Sequence, residues 1–157
     1  MTNATLDRRR WVRKLSCNSG QSLLELALVA PLLVVILMGV AEVGRLAYAA
    51  IEVSNAASAG ARYGAQNGAT ASDSTGISNA AANDAGNLTG LSTISSISCI
   101  CSDGTAASCT DNSACSTSNI EESVTVNTQV SFDPGIHLPG LPKTFTLTGQ
   151  AIQKCLQ

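Results

Sequence analysis

Residues 20–45 read GQSLLELALVAPLLVVILMGVAEVGR, and this stretch decides the fold of the chain. The sixteen residues from Leu26 to Ala41 carry no charge. The wider segment from Leu23 to Val43 has 21 residues, and as an α-helix it would be roughly 30 Å long, the thickness of a bilayer's hydrocarbon core. The rest of the chain has too few large apolar residues to surround such a helix. The sequence therefore predicts one transmembrane helix, in which Pro31 is tolerable.

Charge is distributed unequally on the two sides of this helix. Before Gly20, five basic residues stand against Asp7 alone, whereas from Gln21 onward ten acidic residues stand against four basic ones. The positive-inside rule places residues 1–20 in the cytoplasm and the C-terminal part outside. Five of the six cysteines lie in that exported part, where disulfides persist.

Composition excludes several classes of protein. Aromatic residues make up 3% of the chain and charged residues 13%, so a large close-packed core is not expected. The net charge of −2 argues against a nucleic-acid partner. The single histidine, His137, lies in a Gly/Pro loop and is expected to be solvated or packed, and no motif for nucleophilic or acid–base catalysis is found. We expect no enzymatic activity, no cofactor, no metal site and no small-molecule substrate.

Gly20, Gln21 and Glu25 suggest proteolytic processing at the start of the helix. A basic leader ends in glycine, which fits a protease cleft without an obstructing side chain. Glu25 is costly in a membrane helix unless it has a partner, and cleavage after Gly20 would create one, the ammonium group of Gln21 in the same chain or in a neighbouring copy. A simpler interpretation leaves Glu25 solvated at the headgroup level. A secretory signal peptide cut after Ala49 is a third interpretation, but its apolar run would be unusually long.

The run from Gly20 to Pro31, GQSLLELALVAP, resembles the start of TadE-like proteins, the minor pilins or pseudopilins of Flp/Tad (type IV-like) pilus systems. The similarity continues through Glu42-Val43-Gly44-Arg45 and Gly60-Ala61-Arg62-Tyr63, over about residues 20–66. It implies a prepilin of the bacterial inner membrane that a prepilin peptidase cuts after Gly20, with Glu25 needed for processing or docking. It also implies other pilin subunits and an inner-membrane assembly platform as partners. Leu26 departs from the family pattern, in which an aromatic residue often follows the glutamate.

The helical pattern continues beyond the membrane segment and predicts one helix over residues 21–66, roughly 70 Å long. Ala56, Gly60 and Gly64 form a stripe of small residues that lets another backbone approach closely. Two partners for this stripe are open, namely other subunits of a pilus bundle or the head of the same chain.

The expected fold is α+β, with a basic leader (1–20), a transmembrane and stalk helix (21–66) and a small exported head (67–157). After a linker at residues 67–76, a short helix is predicted from Ile77 to Leu88, with Asp73, Ser74 or Thr75 as its cap. Strands are predicted at Leu91–Cys101, Ser123–Phe132 and Thr144–Ile152, forming a small antiparallel sheet.

Four cysteines bracket a polar loop that has almost no apolar residues to hold it, and two disulfides are expected there. Cys99 and Cys101 are two residues apart in a predicted strand, where their side chains share a face but lie too far apart to pair with each other. Two pairings are open. One joins Cys99 to Cys109 and Cys101 to Cys115, and the other joins Cys99 to Cys115 and Cys101 to Cys109. Zinc binding is disfavoured because the spacing fits no common pattern. Neither of these pairings uses Cys155.

Two functions are consistent with the basic leader, the apolar helix and the cysteine-bearing C-terminal part. The first is a pilin-like subunit, cut after Gly20 and assembled into or priming a pilus, with adhesion by the head as a further role for which no residue can be nominated. The second is an uncleaved single-pass anchor or scaffold in the lipid bilayer that never enters a filament.

Overall fold

The computed structural model describes residues 18–109, 115, 119–136 and 142–155. The basic residues of the leader and His137 therefore lie outside the described residues. The elements are α1 (Asn18–Gly64), α2 (Gly68–Ala71), α3 (Ser74–Asp84), β1 (Ser92–Cys101), β2 (Ala106–Ala107), β3 (Ile120–Phe132) and β4 (Phe145–Lys154). The chain divides into two compact units, Met1–Val40 and Ala41–Gln157, and we call the second the head. The α+β class, with a long apolar helix followed by an antiparallel sheet, is confirmed.

Helix α1 begins three residues before the predicted start and ends two residues before the predicted end. Its end has a local cause, because the Thr70 hydroxyl donates a hydrogen bond to the Gly64 carbonyl at 3.2 Å. That bond satisfies one of the carbonyls that the last turn of a helix leaves without an intrahelical partner. The helix passes through Pro31 without interruption.

The sheet has four antiparallel strands in the order β2-β1-β3-β4. The alternation that predicted β3 is confirmed, since Val124, Val126 and Val130 are buried while Asn127 and Gln129 are exposed. The buried side chains of the sheet pack against α1 and α3, and the core of the head lies between this inner face and the helices. Polar side chains dominate the opposite face.

The core is built from small side chains, as the scarcity of aromatic residues predicts. Its members are nearly all alanine, valine or cysteine, with one isoleucine: Ala49, Val53, Ala56, Ala57, Ala61, Ala65, Ala71, Ile77, Ala81, Ala85, Cys99, Cys101, Val124, Val126 and Val130. Side chains of this size allow helix and sheet backbones to approach closely, so the positions of glycines and alanines matter more here than in a core filled by aromatic rings.

Two predicted boundaries in the head are wrong. The predicted linker at 67–76 contains the short helix α2, which Asn67 caps through a reciprocal pair of hydrogen bonds with Thr70. The predicted helix Ile77–Leu88 is observed as Ser74–Asp84. It ends early because Asn87 and Leu88 leave the helical path to contact α1.

The strands differ less from their predicted positions. Strand β3 begins three residues earlier than expected, and β4 extends two residues further, to Lys154. Strand β2 was not predicted. It has two residues, both alanine, inside the polar loop, and it pairs with the end of β1 opposite Cys99 and Ile100. A strand of this length leaves no periodic pattern in a sequence.

Asp73 is the residue that starts α3, and it also joins α3 to α1. One carboxylate oxygen accepts a hydrogen bond from the Gly76 backbone N–H at 2.9 Å, and the other accepts one from the Tyr63 hydroxyl on α1 at 3.0 Å. These two donors, the Gly76 amide first, hold the pKa of Asp73 below its ordinary value of 3.8. A carboxylate capping the start of a helix is also favoured by the helix dipole.

The lowered pKa of Asp73 predicts a pH dependence of stability. Because the folded state holds the proton less tightly than the unfolded state, the contribution of Asp73 is complete above the ordinary aspartate pKa and is lost as the pH falls through the lower, folded pKa. We expect Asp73→Asn to lower the melting temperature of the head at pH 7, and this difference from wild type to shrink as the pH is lowered below about 4.

The measurement is thermal unfolding of the full chain in detergent, followed by circular dichroism at several pH values. Asp84→Asn is the matched control, because Asp84 is the last residue of α3, where the helix dipole disfavours a negative charge. That variant should not lower the melting temperature at pH 7. A difference between Asp73→Asn and wild type that stays constant down to pH 2 would contradict the role of the charged carboxylate.

Candidate functional site

The predicted processing residues lie at the beginning of α1. Gly20 and Gln21 are the third and fourth residues of the helix, and both are exposed. The expectation that the helix begins after the cleavage position is thus wrong, since the first turn starts at Asn18. The first four backbone N–H groups of a helix have no intrahelical acceptor, so the Gly20–Gln21 peptide bond lies in the part of the helix that opens most easily.

Glu25 is the one charged residue between Gly20 and Ala41. It is exposed, and within the described part of the chain its carboxylate makes no hydrogen bond or ion pair. It is the eighth residue of α1 rather than a member of the first turn, so the interaction with the helix dipole expected from the sequence is weaker in the uncut chain. Gln21 lies one turn earlier on the same side of the helix, at the spacing at which two side chains meet.

The apolar part of α1 is exposed on all sides. Each large apolar side chain from Leu23 to Val40 has between 47 and 73% of its surface accessible. The helix is long and apolar enough to cross a membrane, with a mean hydropathy of 2.7 over its most apolar window, and none of that window is buried by protein. A continuous apolar surface of this kind is not stable in water. The segment is compatible with a single-pass membrane anchor, in which lipid covers these side chains.

The stripe of small residues on α1 contacts α3 and the sheet of the same chain. Ala56 lies in one buried cluster with Ala81 and Ala85. A Cβ atom at Gly60 would lie 3.2 Å from the Ile77 carbonyl oxygen, and one at Gly64 would lie 3.0 Å from Cγ1 of Val124. Of the two partners left open by the sequence, the structure therefore shows the second, residues 67–157 of the same chain, in contact with the stripe.

The backbone of α1 lies close to the sheet at Val53. The buried Thr128 hydroxyl donates a hydrogen bond to the Val53 carbonyl oxygen at 2.7 Å. Gly149, opposite Thr128 on β4, faces the same turn of the helix. A Cβ atom at Gly149 would lie 2.6 Å from the Val53 carbonyl oxygen and 2.9 Å from the Cα atom of Ser54.

Two disulfides close the polar loop. Cys99 is bonded to Cys109 and Cys101 to Cys115, which is the first of the two pairings that the sequence left open. Cys99 and Cys101 belong to the buried face of β1, so the loop is attached to the core side of the sheet. Cys155 is a free, half-buried thiol, and burial, followed by the nearby charge of Glu122, raises its pKa.

A polar cleft beside α1 was not predicted from the sequence. Glu52 is 9% exposed, and its Oε1 atom accepts a hydrogen bond from the side-chain amide of Asn87 at 2.9 Å. The cleft has a volume of about 390 Å³, and we call it the Glu52 cleft. It is lined by Arg45, Tyr48, Ala49, Glu52, Asn87, Leu88, Thr89, Val130, Ser131, Phe132 and Asp133. The sequence held one indication, because Glu52 falls at helical spacing between Ala49 and Ala56, on the face of α1 assigned to packing.

Arg45 lies at the edge of this cleft and is held by its neighbours. It forms an ion pair with Glu42 at 3.0 Å, and its guanidinium carbon lies 5.7 Å from the centre of the Phe132 ring. The other carboxylate oxygen of Glu42 accepts a hydrogen bond from the backbone N–H of Gly135 at 3.3 Å. These contacts fix the turn after β3 to the part of α1 that lies within the head.

Comparison with known proteins bears on the first part of the chain. A family model described as TadE-like protein matches residues 20–62, which confirms the resemblance seen in that part of the sequence. No curated protein and no solved structure matches the chain. Among the described residues, no three of the side chains that bind metals form a group able to hold an ion.

The contact at Gly149 yields a stability prediction. Gly149→Ala would force a methyl group against the backbone of α1, and we expect a loss of about 1–3 kcal/mol in the free energy of unfolding of the head. Gly44→Ala is the control, because a Cβ atom there meets nothing within 4 Å and alanine favours the helix over glycine. Chemical denaturation of both variants in detergent checks this, and equal stability of Gly149→Ala and wild type would contradict the close approach.

Proposed function

We propose that this chain, a TadE-like protein in its residues 20–62, is a pilin-like subunit of a Tad pilus system. In this proposal it is inserted into the bacterial inner membrane with residues 1–20 in the cytoplasm and the head outside. A prepilin peptidase cuts after Gly20, and the chain then assembles with other pilin subunits at an inner-membrane platform. Its role is structural rather than catalytic.

The observation that carries the proposal is the surface of α1 after Gly20. Between Leu23 and Ala41 that surface is apolar on all sides except for the carboxylate of Glu25, the fifth residue after the proposed cut. An anchor that only holds a head in the membrane needs the apolar surface but gains nothing from a carboxylate there, because a charge without a partner in lipid is unfavourable. A subunit that must be recognised by another chain within the membrane has a use for it.

Cleavage would change the surroundings of Glu25. The new N-terminal ammonium group of Gln21 would lie one helical turn from the carboxylate, or would meet the carboxylate of a neighbouring copy. Glu25 would then be the fifth residue of the chain, where the positive end of the helix dipole also stabilises it. Processing and docking are therefore linked through one residue in this proposal.

One observation favours the second candidate, an uncleaved single-pass anchor. Helix α1 runs from Asn18 through Gly20 without a break, so the bond to be cut is part of a helix in the uncut chain. A protease would have to open the first turn before cleavage. An uncleaved chain would keep its basic tail as a cytoplasmic contact and would remain confined to the bilayer.

The first prediction of the proposal concerns the mature N-terminus. Intact mass and N-terminal sequencing of the protein from its native membrane should give a chain that starts at Gln21. Gly20→Val should prevent this cut, because a branched side chain obstructs the protease cleft where glycine does not. Gly39→Val is the matched control on the same helix, since a Cβ atom there meets nothing within 4 Å, and it should be cut normally.

Each alternative start has a distinct meaning. A chain that still begins with Met1, in a host whose prepilin peptidase is active, would contradict processing and favour the uncleaved anchor. A chain that begins at Ala50 would contradict both functions, because the membrane segment would have been removed.

The second prediction separates docking from processing. Glu25→Gln removes the charge with little change in shape, and we expect the amount of this chain in sheared pili to fall on the order of tenfold, as one lost ion-pair contact would cause. Glu25→Asp should retain part of the assembly. Glu121→Gln is the control, because its carboxylate is in the head and pairs with Lys154 on the same sheet.

Mass spectrometry of the membrane fraction tells the two roles of Glu25 apart. A Glu25→Gln chain that is cut but missing from pili places the residue in docking, whereas an uncut chain places it in recognition by the peptidase. Normal amounts of the variant in pili would contradict both.

A further inference from the structure

Strand β4 is an edge of the sheet, and one of its two sides has no strand partner. In the order β2-β1-β3-β4 it pairs with β3 alone among the described strands. The backbone N–H of Cys155 donates to the carbonyl oxygen of Glu122 on β3 at 2.8 Å, and this bond sets the alternation along β4. Every second residue before Cys155 therefore bonds to β3, and the residues between them direct their N–H and C=O groups away from the sheet. These outward residues are Thr146, Thr148, Gln150, Ile152 and Lys154.

The outward side of β4 lacks the features that usually prevent edge pairing. The strand contains no proline, and its pairing with β3 runs through all 10 residues without a bulge. Its one charge is Lys154, at the last position, and that ammonium group pairs with Glu121 on β3. An exposed edge without a proline, a bulge or a free charge is a template on which another strand can pair.

A second free edge lies on the other side of the sheet. Strand β2 pairs only with Cys99 and Ile100 of β1, so no described strand covers the stretch Ser92–Ser98. This stretch consists of serine, threonine and isoleucine, with no charge and no proline. The backbone N–H of Cys101 donates to the carbonyl oxygen of Thr105 on this side, and this bond sets the alternation along β1. The outward residues of the free stretch are Thr93, Ser95 and Ile97.

The direction of α1 limits how these two edges can meet. Arg45 lies near Phe132, at the end of β3, and Gly64 faces Val124, nearer its start. Helix α1 therefore runs antiparallel to β3, in the same direction as β1 and β4. In copies that are anchored in one membrane, α1 enters each head from the same side, so two β4 strands cannot pair antiparallel. Strand β4 of one copy can instead pair in parallel with β1 of the next.

We propose that β4 pairs with the free stretch of β1 in a second copy of this chain, so that one sheet continues from head to head. The proposal rests on the membrane anchor of the proposed function, but not on cleavage. Ile94, Asn127 and Gln150 form one row across β1, β3 and β4. A second copy placed alongside without a shift therefore brings its Ile94 next to Gln150. Its stretch Ser92–Ser98 then lies along Thr148–Lys154.

The backbone groups match in this register. Ser95 of the second copy lies level with the residue between Gln150 and Ile152. Its N–H reaches the carbonyl oxygen of Gln150 and its C=O accepts from the N–H of Ile152, which is the pattern of a parallel ladder. Lys154 meets Ser98 of the second copy, so like charges do not face each other. Because each copy offers β4 on one side and β1 on the other, the contact repeats along a row of copies.

The test is disulfide cross-linking of the full chain in the membranes of the cells that express it. One chain carries Ile94→Cys and Gln150→Cys together. Within a chain these positions are two strands apart, roughly 10 Å, which is too far for a disulfide, whereas in paired copies they are neighbours. Mild oxidation should therefore give dimers and larger multimers on a non-reducing gel. Wild type gives the background that arises from Cys155.

Ile94→Cys with Thr146→Cys is the matched control for register. Thr146 also faces outward on β4, but it lies four residues from Gln150, roughly 13 Å along the strand. The cross-linked fraction of this chain should be about fivefold lower or less. Equal cross-linking of the two chains would overturn the proposal.

A proline then tests whether the contact is made by the backbone. Ile152→Pro removes an outward N–H while leaving the hydrogen bonds between β4 and β3 in place, which an edge strand tolerates. Added to the chain with Ile94→Cys and Gln150→Cys, it should lower the cross-linked fraction about fivefold or more. Ile152→Ala loses the same side chain but keeps the N–H, and it should cross-link as before. Equal cross-linking of the proline and alanine variants would overturn the proposal, and circular dichroism checks that both are folded.

Two further chains identify the occupant of the edge and separate this contact from processing. Gln150→Cys alone should give no dimer; a dimer would mean that two β4 strands meet, and a cross-link to a different protein would give the edge to another partner, so either result would overturn the proposal. Gly20→Val, added to the chain with Ile94→Cys and Gln150→Cys, should leave cross-linking unchanged. A chain that is cut and found in pili, but that never cross-links, would overturn the sheet contact and leave the proposed function standing.

Discussion

The head depends on the close approach of one turn of α1 to the middle of the sheet. At this point the Thr128 hydroxyl reaches the Val53 carbonyl oxygen, and the backbone of Gly149 lies against the same turn. No side chain larger than a hydrogen atom fits between β4 and the helix here. The glycines and alanines on the neighbouring turns of α1 extend this contact toward Val124 and Val126. Since the core has few large side chains, its stability comes from many short contacts between backbones rather than from a few buried rings.

Helix α1 has two different surfaces along its length. From Leu23 to Val40 the side chains are large, apolar and exposed, and their spacing shows no preferred face. From Ala49 onward one face carries mostly alanine, glycine and valine, with Glu52 among them, and this face is buried. The first pattern is that of a helix surrounded by lipid, and the second is that of a helix covered on one side by protein. The change occurs around Glu42 and Arg45, whose ion pair also holds the turn after β3.

Much of this arrangement could be predicted from the sequence, because periodicity reports which faces are buried. The alternation in Val124–Phe132 identified β3, and the stripe through Gly60 and Gly64 identified the packed face of α1. What periodicity cannot report is a contact set by a single hydrogen bond. The early end of α3 depends on Asn87 reaching Glu52, and the short β2 depends on backbone pairing with β1. Both disulfide pairings satisfied the spacing, and only the path of the loop in space distinguishes them. Glu52 was not predicted, although it falls at helical spacing between Ala49 and Ala56, because spacing alone does not show whether a charged side chain is buried.

The disulfides follow from the small core. Alanine and valine bury little apolar area per residue, so the hydrophobic contribution to the stability of such a head is modest. The two disulfides join residues 10 and 14 positions apart, and in the chain-entropy account loops of this length contribute about 3 kcal/mol each. That is a large share of the 5–15 kcal/mol by which domains are usually stable. Both bonds start from the buried face of β1, at the end of the strand where β2 pairs for only two residues. They therefore hold the sheet edge that has the fewest backbone hydrogen bonds, and they persist only in an oxidising compartment. A core of small side chains therefore leaves the head dependent on the two disulfides that join β1 to the polar loop.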